Sequence, residues 1–155
     1  MTASETNEAA GMLSARRQAI VEEARSWIGT PYRHQASLKG VGCDCVGLVR
    51  GIWRALYGAE PEVLPAYAPD WAEASGREPF ADALARHCEP GDYAASTAGD
   101  IVLFRWRLGL TAKHAAIMSS AERMIHAHQG IHVTEVALSP WWRRRIAYVF
   151  RFPGI

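Results

Sequence analysis

Apolar residues fall at two different spacings along this chain, and the change from one to the other divides it. Near the N-terminus Ile20, Val21, Ala24 and Trp27 or Ile28 share one side of a helix, which Ser14 can cap and Gly29-Thr30-Pro31 ends. Val46, Val49, Ile52, Trp53, Leu56 and Tyr57 repeat the pattern, predicting a helix over roughly 45–57 that Gly58 stops. A Pro-rich connection (58–70, with Pro61, Pro65 and Pro69) follows, and a further helix lies within 72–87. Beyond residue 100 short apolar runs between turn residues replace the helical spacing. Strands are predicted at 100–106, 113–119, 122–128, 131–137 and 145–152, with hairpin breaks at Ser119-Ser120-Ala121 and Gln129-Gly130. Helices first and an antiparallel sheet after them is an α+β arrangement.

Residues 1–12 are polar and read as a disordered tail, leaving 13–155 as a single domain. The apolar fraction of 49% and charged fraction of 21% are those of an ordinary globular chain. A net charge of +1 gives no argument for a nucleic-acid partner or an acidic membrane surface. Cations are 15 Arg to 2 Lys, which a GC-rich genome explains as well as an Arg-lined groove for an acidic peptide does. Three cysteines make no disulfide framework and fit synthesis in a reducing cytosol. No apolar run is long enough to span a membrane, and residues 1–11 carry no signal-peptide core. A substrate outside the cytoplasm would therefore have to be reached by some carrier.

The chemistry concentrates at Val41-Gly42-Cys43-Asp44-Cys45-Val46-Gly47. A glycine-flanked turn delivers Cys45 to the first position of its helix, where the macrodipole favours a thiolate. A nucleophilic thiol needs a base, and His114 is the best candidate: it leads the segment His114-Ala115-Ala116-Ile117-Met118, whose small alanines leave room beside an imidazole. In the next strand His126 and His128 share a face, and a ring hydrogen bond from one of them would orient His114. Cys45, His114 and His126 then form a relay of nucleophile, base and orienter.

These residues resemble a family. Gly29-Thr30-Pro31-Tyr32, Gly42-Cys43-Asp44-Cys45-Val46-Gly47-Leu48-Val49, Ala98-Gly99-Asp100-Ile101-Val102-Leu103-Phe104, Lys113-His114-Ala115-Ala116-Ile117 and Met124-Ile125-His126-Ala127 are similar, in order and spacing, to successive motifs of the NlpC-type bacterial cell-wall cysteine peptidases. The likeness runs from about residue 18 to the C-terminus and includes the twelve-residue step from His114 to His126, which favours His126 over His128. Within that family the Gly-Cys-Asp-Cys turn and the Trp-Trp-Arg-Arg-Arg run at 141–145 resemble the branch encoded in prophages and gene transfer agents. The resemblance implies a papain-like fold with the nucleophile helix packed on the sheet. The implied activity is hydrolysis of the peptidoglycan stem peptide at the γ-D-glutamyl-diamino acid bond, with no metal or cofactor. It also implies phage-like tail proteins as partners and action on the cell wall in the periplasm by a particle-borne protein made without a signal peptide. Tyr32 matches the family's tyrosine near the oxyanion, and Asp44, which reads as the cap of the helix, also matches a residue near the substrate amine. Val46 departs from the pattern, because most members carry a serine whose hydroxyl helps hold a substrate carboxylate; here it would be held otherwise, as by Arg33 or Arg50, or held weakly.

Other side chains have plainer readings. Cys43 reads as a buried structural thiol, and the adjacent His87-Cys88 cannot form a dyad because helical neighbours point about 100° apart. His34, His87 and His132 read as solvated. The run Trp141-Trp142-Arg143-Arg144-Arg145 reads as a groove wall or a partner surface, or as core aromatics with solvated arginines. The rival functions are a non-catalytic tail or wall-binding protein, a thiol acyltransferase, and a metal site from Cys43, Cys45, His126 and His128, whose spacing is a weak zinc signature.

Overall fold

The computed structural model of the 155-residue chain describes residues 1–63 and 78–155, so the sequence-predicted turns at Pro65 and Pro69, and the helical positions 72–77, lie outside the described residues. The described elements are α1 (Ala3–Ser26), β1 (Ser37–Leu38), β2 (Gly42–Cys43), α2 (Cys45–Tyr57), α3 (Pro79–His87), β3 (Glu89–Pro90), β4 (Ile101–Phe104), β5 (His114–Met118), β6 (Arg123–His126), β7 (Thr134–Ala137), α4 (Pro140–Arg143) and β8 (Ile146–Arg151). β1 and β2 form a small hairpin beside α2. The other strands form an antiparallel sheet in the order β3-β8-β4-β5-β6-β7. This is the α+β layout that the change of period predicts.

The first helix begins earlier than its apolar stripe. Thr2 and Glu5 make a reciprocal capping box, and residues 3–12, read as a disordered tail, form the first turns of α1 with their side chains in solvent. Burial starts lower down, at Ile20, Val21 and Ala24. There Arg17 reaches the fully buried Asp100 carboxylate at 2.9 Å and ties α1 to the entry of β4.

Both faces of the sheet are covered, which is why its strands read as nearly continuous apolar runs rather than clean alternations. Ile101, Leu103, Ala115, Ile117 and Ile125 face α1 and α2. Val102, Phe104, Ala116, Met118 and Met124 face the other way, beneath Leu138 and the Trp142 of α4. The seat of α2 depends on glycine at close approach. A Cβ on Gly47 would lie 1.9 Å from the Ala36 carbonyl oxygen, and one on Gly51 would lie 2.0 Å from the Trp27 ring.

Candidate active site

Asp44 starts α2 and fixes the orientation of its first turn. One carboxylate oxygen accepts from the Gly47 N–H at 2.7 Å, the other from the Gln35 N–H at 2.7 Å. The cap is buried, and Gln35 is held at a φ of +63°, in the left-handed region that non-glycine residues rarely occupy. Cys45 is therefore the first helical residue, its backbone N–H among those with no partner inside the helix. Its thiol donates to the Lys113 carbonyl at 3.4 Å, at the residue directly before His114.

The two histidines of the expected relay do meet. The β5–β6 register pairs Ile117 with Ile125 and Met118 with Met124, so His126 falls opposite Ala116 and diagonal to His114. His114 Nε2 and His126 Nδ1 are 2.9 Å apart, and both rings are buried. For His114 to accept a proton on Nδ1, its own must sit on Nε2 and be donated to His126 Nδ1; His126 then carries its proton on Nε2. The third imidazole, His128, lies within the same cluster at 5.6 Å from each of the other ring centres, but its Nδ1 is at the Gln129 carbonyl, 3.1 Å away.

The Cys45 thiol meets the start of β5 at the Lys113 carbonyl and shares a core cluster with Ala115, while the His114 ring packs with Phe104 and Trp142. The helix dipole was expected to favour a thiolate. Burial instead pushes Cys45 up to about 12, with the neighbouring Asp44 charge adding to it and the N–H groups of Ala115 and Val46 opposing. Burial likewise holds His114 well below its ordinary value and His126 down at about 4, with His128 adding to both. Both shifts favour the neutral thiol and the neutral imidazole.

Those shifts make stability depend on pH. In the unfolded chain both imidazoles take up a proton near pH 6.5, whereas in the folded chain they do not, so below that pH the unfolded state binds more protons and stability falls with pH. Urea midpoints are expected to drop between pH 7 and pH 5, each histidine contributing a limiting slope of about 1.4 kcal/mol per pH unit. His126→Asn should flatten the profile; an unchanged slope in that variant would rule the pair out as its cause.

Tyr32 bridges through its backbone to Cys43. Burial, with Cys45 and Asp44 nearby, raises its phenol to about 12, so the hydroxyl remains a proton donor at neutral pH. With Gly29, Pro31, Gly130, Ile131 and His132 it lines an open cleft of about 430 Å³. Val46 points elsewhere. It is 3% exposed and lines an apolar cavity of about 60 Å³ between α2 and α3 with Val49, Phe80, Leu84 and Cys88. Of the arginines offered for a carboxylate, Arg50 is paired with Glu60 at the rim of that cavity and Arg33 donates to the Val41 carbonyl at 3.2 Å.

Cys43 is fully buried, as its reading as a structural thiol requires. His34 and His132 are exposed, as read, and His87 is half-buried; His34 Nδ1 is 3.9 Å from Asp44 and His87 Nε2 is 3.4 Å from Glu62. The sequence reading missed Trp106, which lies nearly parallel to the His114 ring, and left Trp142 undecided; it packs partly buried against the core and beside His114. The one available signal was that Trp106 follows Phe104 by two and so continues the face of β4 that carries the Phe104–His114 pair.

Residues 29–151 match the model of the NlpC/P60 family. Over 138 residues the chain is 29% identical to the gamma-DL-glutamyl hydrolase of Bacillus subtilis (strain 168), a match covering 88% of this chain and 29% of that protein. The chain thus spans under a third of the length of that curated relative. Among solved structures, an NlpC/P60 family protein from Bacillus cereus ATCC 10987 superposes with a TM-score of 0.63 at 19% identity, over 88% of this chain and 40% of that one. The NlpC/p60 domain of the peptidoglycan hydrolase SagA gives 0.58 at 23% identity, over 88% and 98%. NlpC2 from Trichomonas vaginalis gives 0.63 at 17%, over 88% and 46%. At these identities the structures speak for the fold.

Proposed function

The chain belongs to the NlpC/P60 family, and on that premise we propose that it is a cysteine peptidase that hydrolyses peptidoglycan stem peptides at the γ-D-glutamyl-diamino acid bond. The observation that carries the reading is the junction of α2 with β5. The Cys45 thiol rests on the carbonyl directly before His114, and His114 is held by His126 at 2.9 Å. The γ-glutamyl bond named for the Bacillus subtilis relative supports the choice of substrate.

In this mechanism the thiol leaves the Lys113 carbonyl and gives its proton to His114 Nδ1 as the sulfur attacks the substrate carbonyl carbon. Starting from neutral partners, transfer and attack are coupled, so no thiolate accumulates beforehand. The oxyanion is met by the Cys45 backbone N–H and the Tyr32 hydroxyl. His114 then returns its proton to the leaving amine and breaks the C–N bond. Water next attacks the thioester while His114 takes its proton, releasing a carboxylate and the free thiol.

The Gly42-Cys43-Asp44-Cys45 turn and the 141–145 run support the finer proposal of a phage-like or gene transfer agent enzyme, carried on a tail and acting on the wall in the periplasm. Among the described residues no helix is long and apolar enough to cross a membrane. Mass spectrometry of purified peptidoglycan digested with the protein tests bond and reaction type together. New N-terminal diamino acid peptides are the expected product; transfer to an added amine would make it an acyltransferase, and an unchanged digest would leave a binding protein.

Val46→Ser sharpens the substrate argument. A hydroxyl at that position enters the apolar cavity between α2 and α3 and is expected to cost about 1–3 kcal/mol of stability. No gain in kcat/KM on a defined stem peptide is expected, whether the peptide carboxylate is free or amidated. A severalfold gain on the free carboxylate alone would show that position 46 reads the substrate after all.

A further inference from the structure

The His114 ring has aromatic walls that no step of the proposed mechanism uses. The Trp106 ring centre lies 5.4 Å from that of His114 at an interplanar angle of 23°, and Trp142 lies at 5.5 Å and 29°. The two indoles are 5.9 Å apart and inclined by 50°, so they form an angled cradle rather than a sandwich. They come from separate parts of the chain, Trp106 from just beyond β4 and Trp142 from α4. Arg145 joins the two: its Nε donates to the Trp106 carbonyl at 3.1 Å and its Nη1 to the Trp141 carbonyl at 2.9 Å.

We infer that Trp106 and Trp142 are positioning residues for the base, fixing the ring plane of His114 and stabilising its imidazolium form while the acyl group is transferred. The inference rests on the reading of His114 as that base. A general base must become charged during the reaction, and everything else around this one opposes the charge. Burial does, and so do the other imidazoles, His126 on β6 and His128 beyond it. The remaining ionisable neighbours are the Cys45 thiol on α2, Lys113 before it in the chain and Arg145, whose guanidinium lies 3.6 Å over the Trp141 ring. Among the described residues no carboxylate pairs with His114 or His126; the histidine–carboxylate pairs are those of His34 and His87. What faces the ring in place of a carboxylate is the negative face of two indoles, both within the roughly 6 Å over which a cation is attracted to an aromatic ring. That attraction arises only when the imidazole is charged, so it lowers the barrier without tightening substrate binding.

Substitution by leucine keeps the wall apolar and removes the ring; substitution by phenylalanine keeps a ring. With a muropeptide substrate, Trp142→Leu and Trp106→Leu are each expected to lower kcat about three- to thirtyfold at unchanged KM, the range a desolvated cation–ring contact would give. The phenylalanine variants should retain most of kcat. Ring ¹⁵N shifts of His114 at neutral pH should report a proton on Nε2 in the parent and averaged tautomers in the leucine variants, independently of turnover. If Trp142→Leu does not fold, Trp106→Leu carries the same comparison. Equal kcat in the leucine and phenylalanine variants, or a raised KM at full kcat, would overturn the cradle while His114→Ala stays inactive. Hydrolysis surviving in His114→Ala would instead remove the base reading on which the cradle depends.

Discussion

Replacing Cys45 with alanine is expected to abolish peptide hydrolysis, by a factor on the order of 10⁴ or more, and to leave the fold intact. Alanine is a good helix former and Asp44 still caps the helix through Gly47, so the first turn of α2 has no reason to move. The thiol donates only weakly, to the Lys113 carbonyl, so its loss leaves little unsatisfied. Cys43→Ala and Cys88→Ala are expected to behave differently. Both thiols are buried in the same core cluster as Cys45, but Cys43 lies in β2 and Cys88 ends α3 beside the apolar cavity. Removing either should cost stability and keep most of the activity. Release of stem-peptide fragments from peptidoglycan, measured beside circular dichroism, makes the comparison. A Cys43→Ala variant with an unchanged spectrum and a loss as deep as that of Cys45→Ala would sink the assignment of the nucleophile.

Why Cys45 could be singled out from residues alone is plain from its element. Asp44 caps α2, its apolar residues keep a 3.6 period, and Gly58 ends it at a φ of +86°, so the span 45–57 is legible residue by residue. The five longer strands are legible for the same reason, each within three residues of its predicted ends. β1, β2, β3 and α4 are too short to show any period, and they exist because tertiary contacts complete them. The start of α1 was missed because Thr2-x-x-Glu5 is a local signal with no apolar stripe behind it. The site divides along the same line. The His114–His126 bond follows from spacing on two paired strands. The aromatic cradle needs the β4–β5 register and α4 together, neither of which a period reveals. The neutral state of the thiol depends on how deeply the first turn of α2 is buried, and that is set by packing rather than by position on a helix.

The division of labour among the three imidazoles gives the second large effect. His114→Ala removes the group that takes and returns the proton in both halves of the reaction, and a loss of about 10²–10⁴ in kcat is expected. His126 moves no proton to the substrate. It contributes one buried hydrogen bond, 2.9 Å long, that fixes the tautomer of His114, and the net worth of such a bond is about 0.5–1.5 kcal/mol. His126→Ala should therefore cost roughly two- to tenfold. His126→Asn should recover most of that, because an amide oxygen can accept from Nε2–H where the ring nitrogen did. His128 has a different partner, the Gln129 carbonyl, and faces the other two rings without a hydrogen bond to either. His128→Ala should be the mildest of the three and should ease protonation of His114, since one of the groups opposing that charge is gone. Its kcat should stay within a few-fold of the parent while the acid limb of the rate profile moves to higher pH, because a base that protonates more readily is lost earlier as pH falls. Rates in which His128→Ala is the more damaging substitution, with His126→Ala near the parent, would transfer the orienting role to His128 and leave the His114–His126 bond as packing.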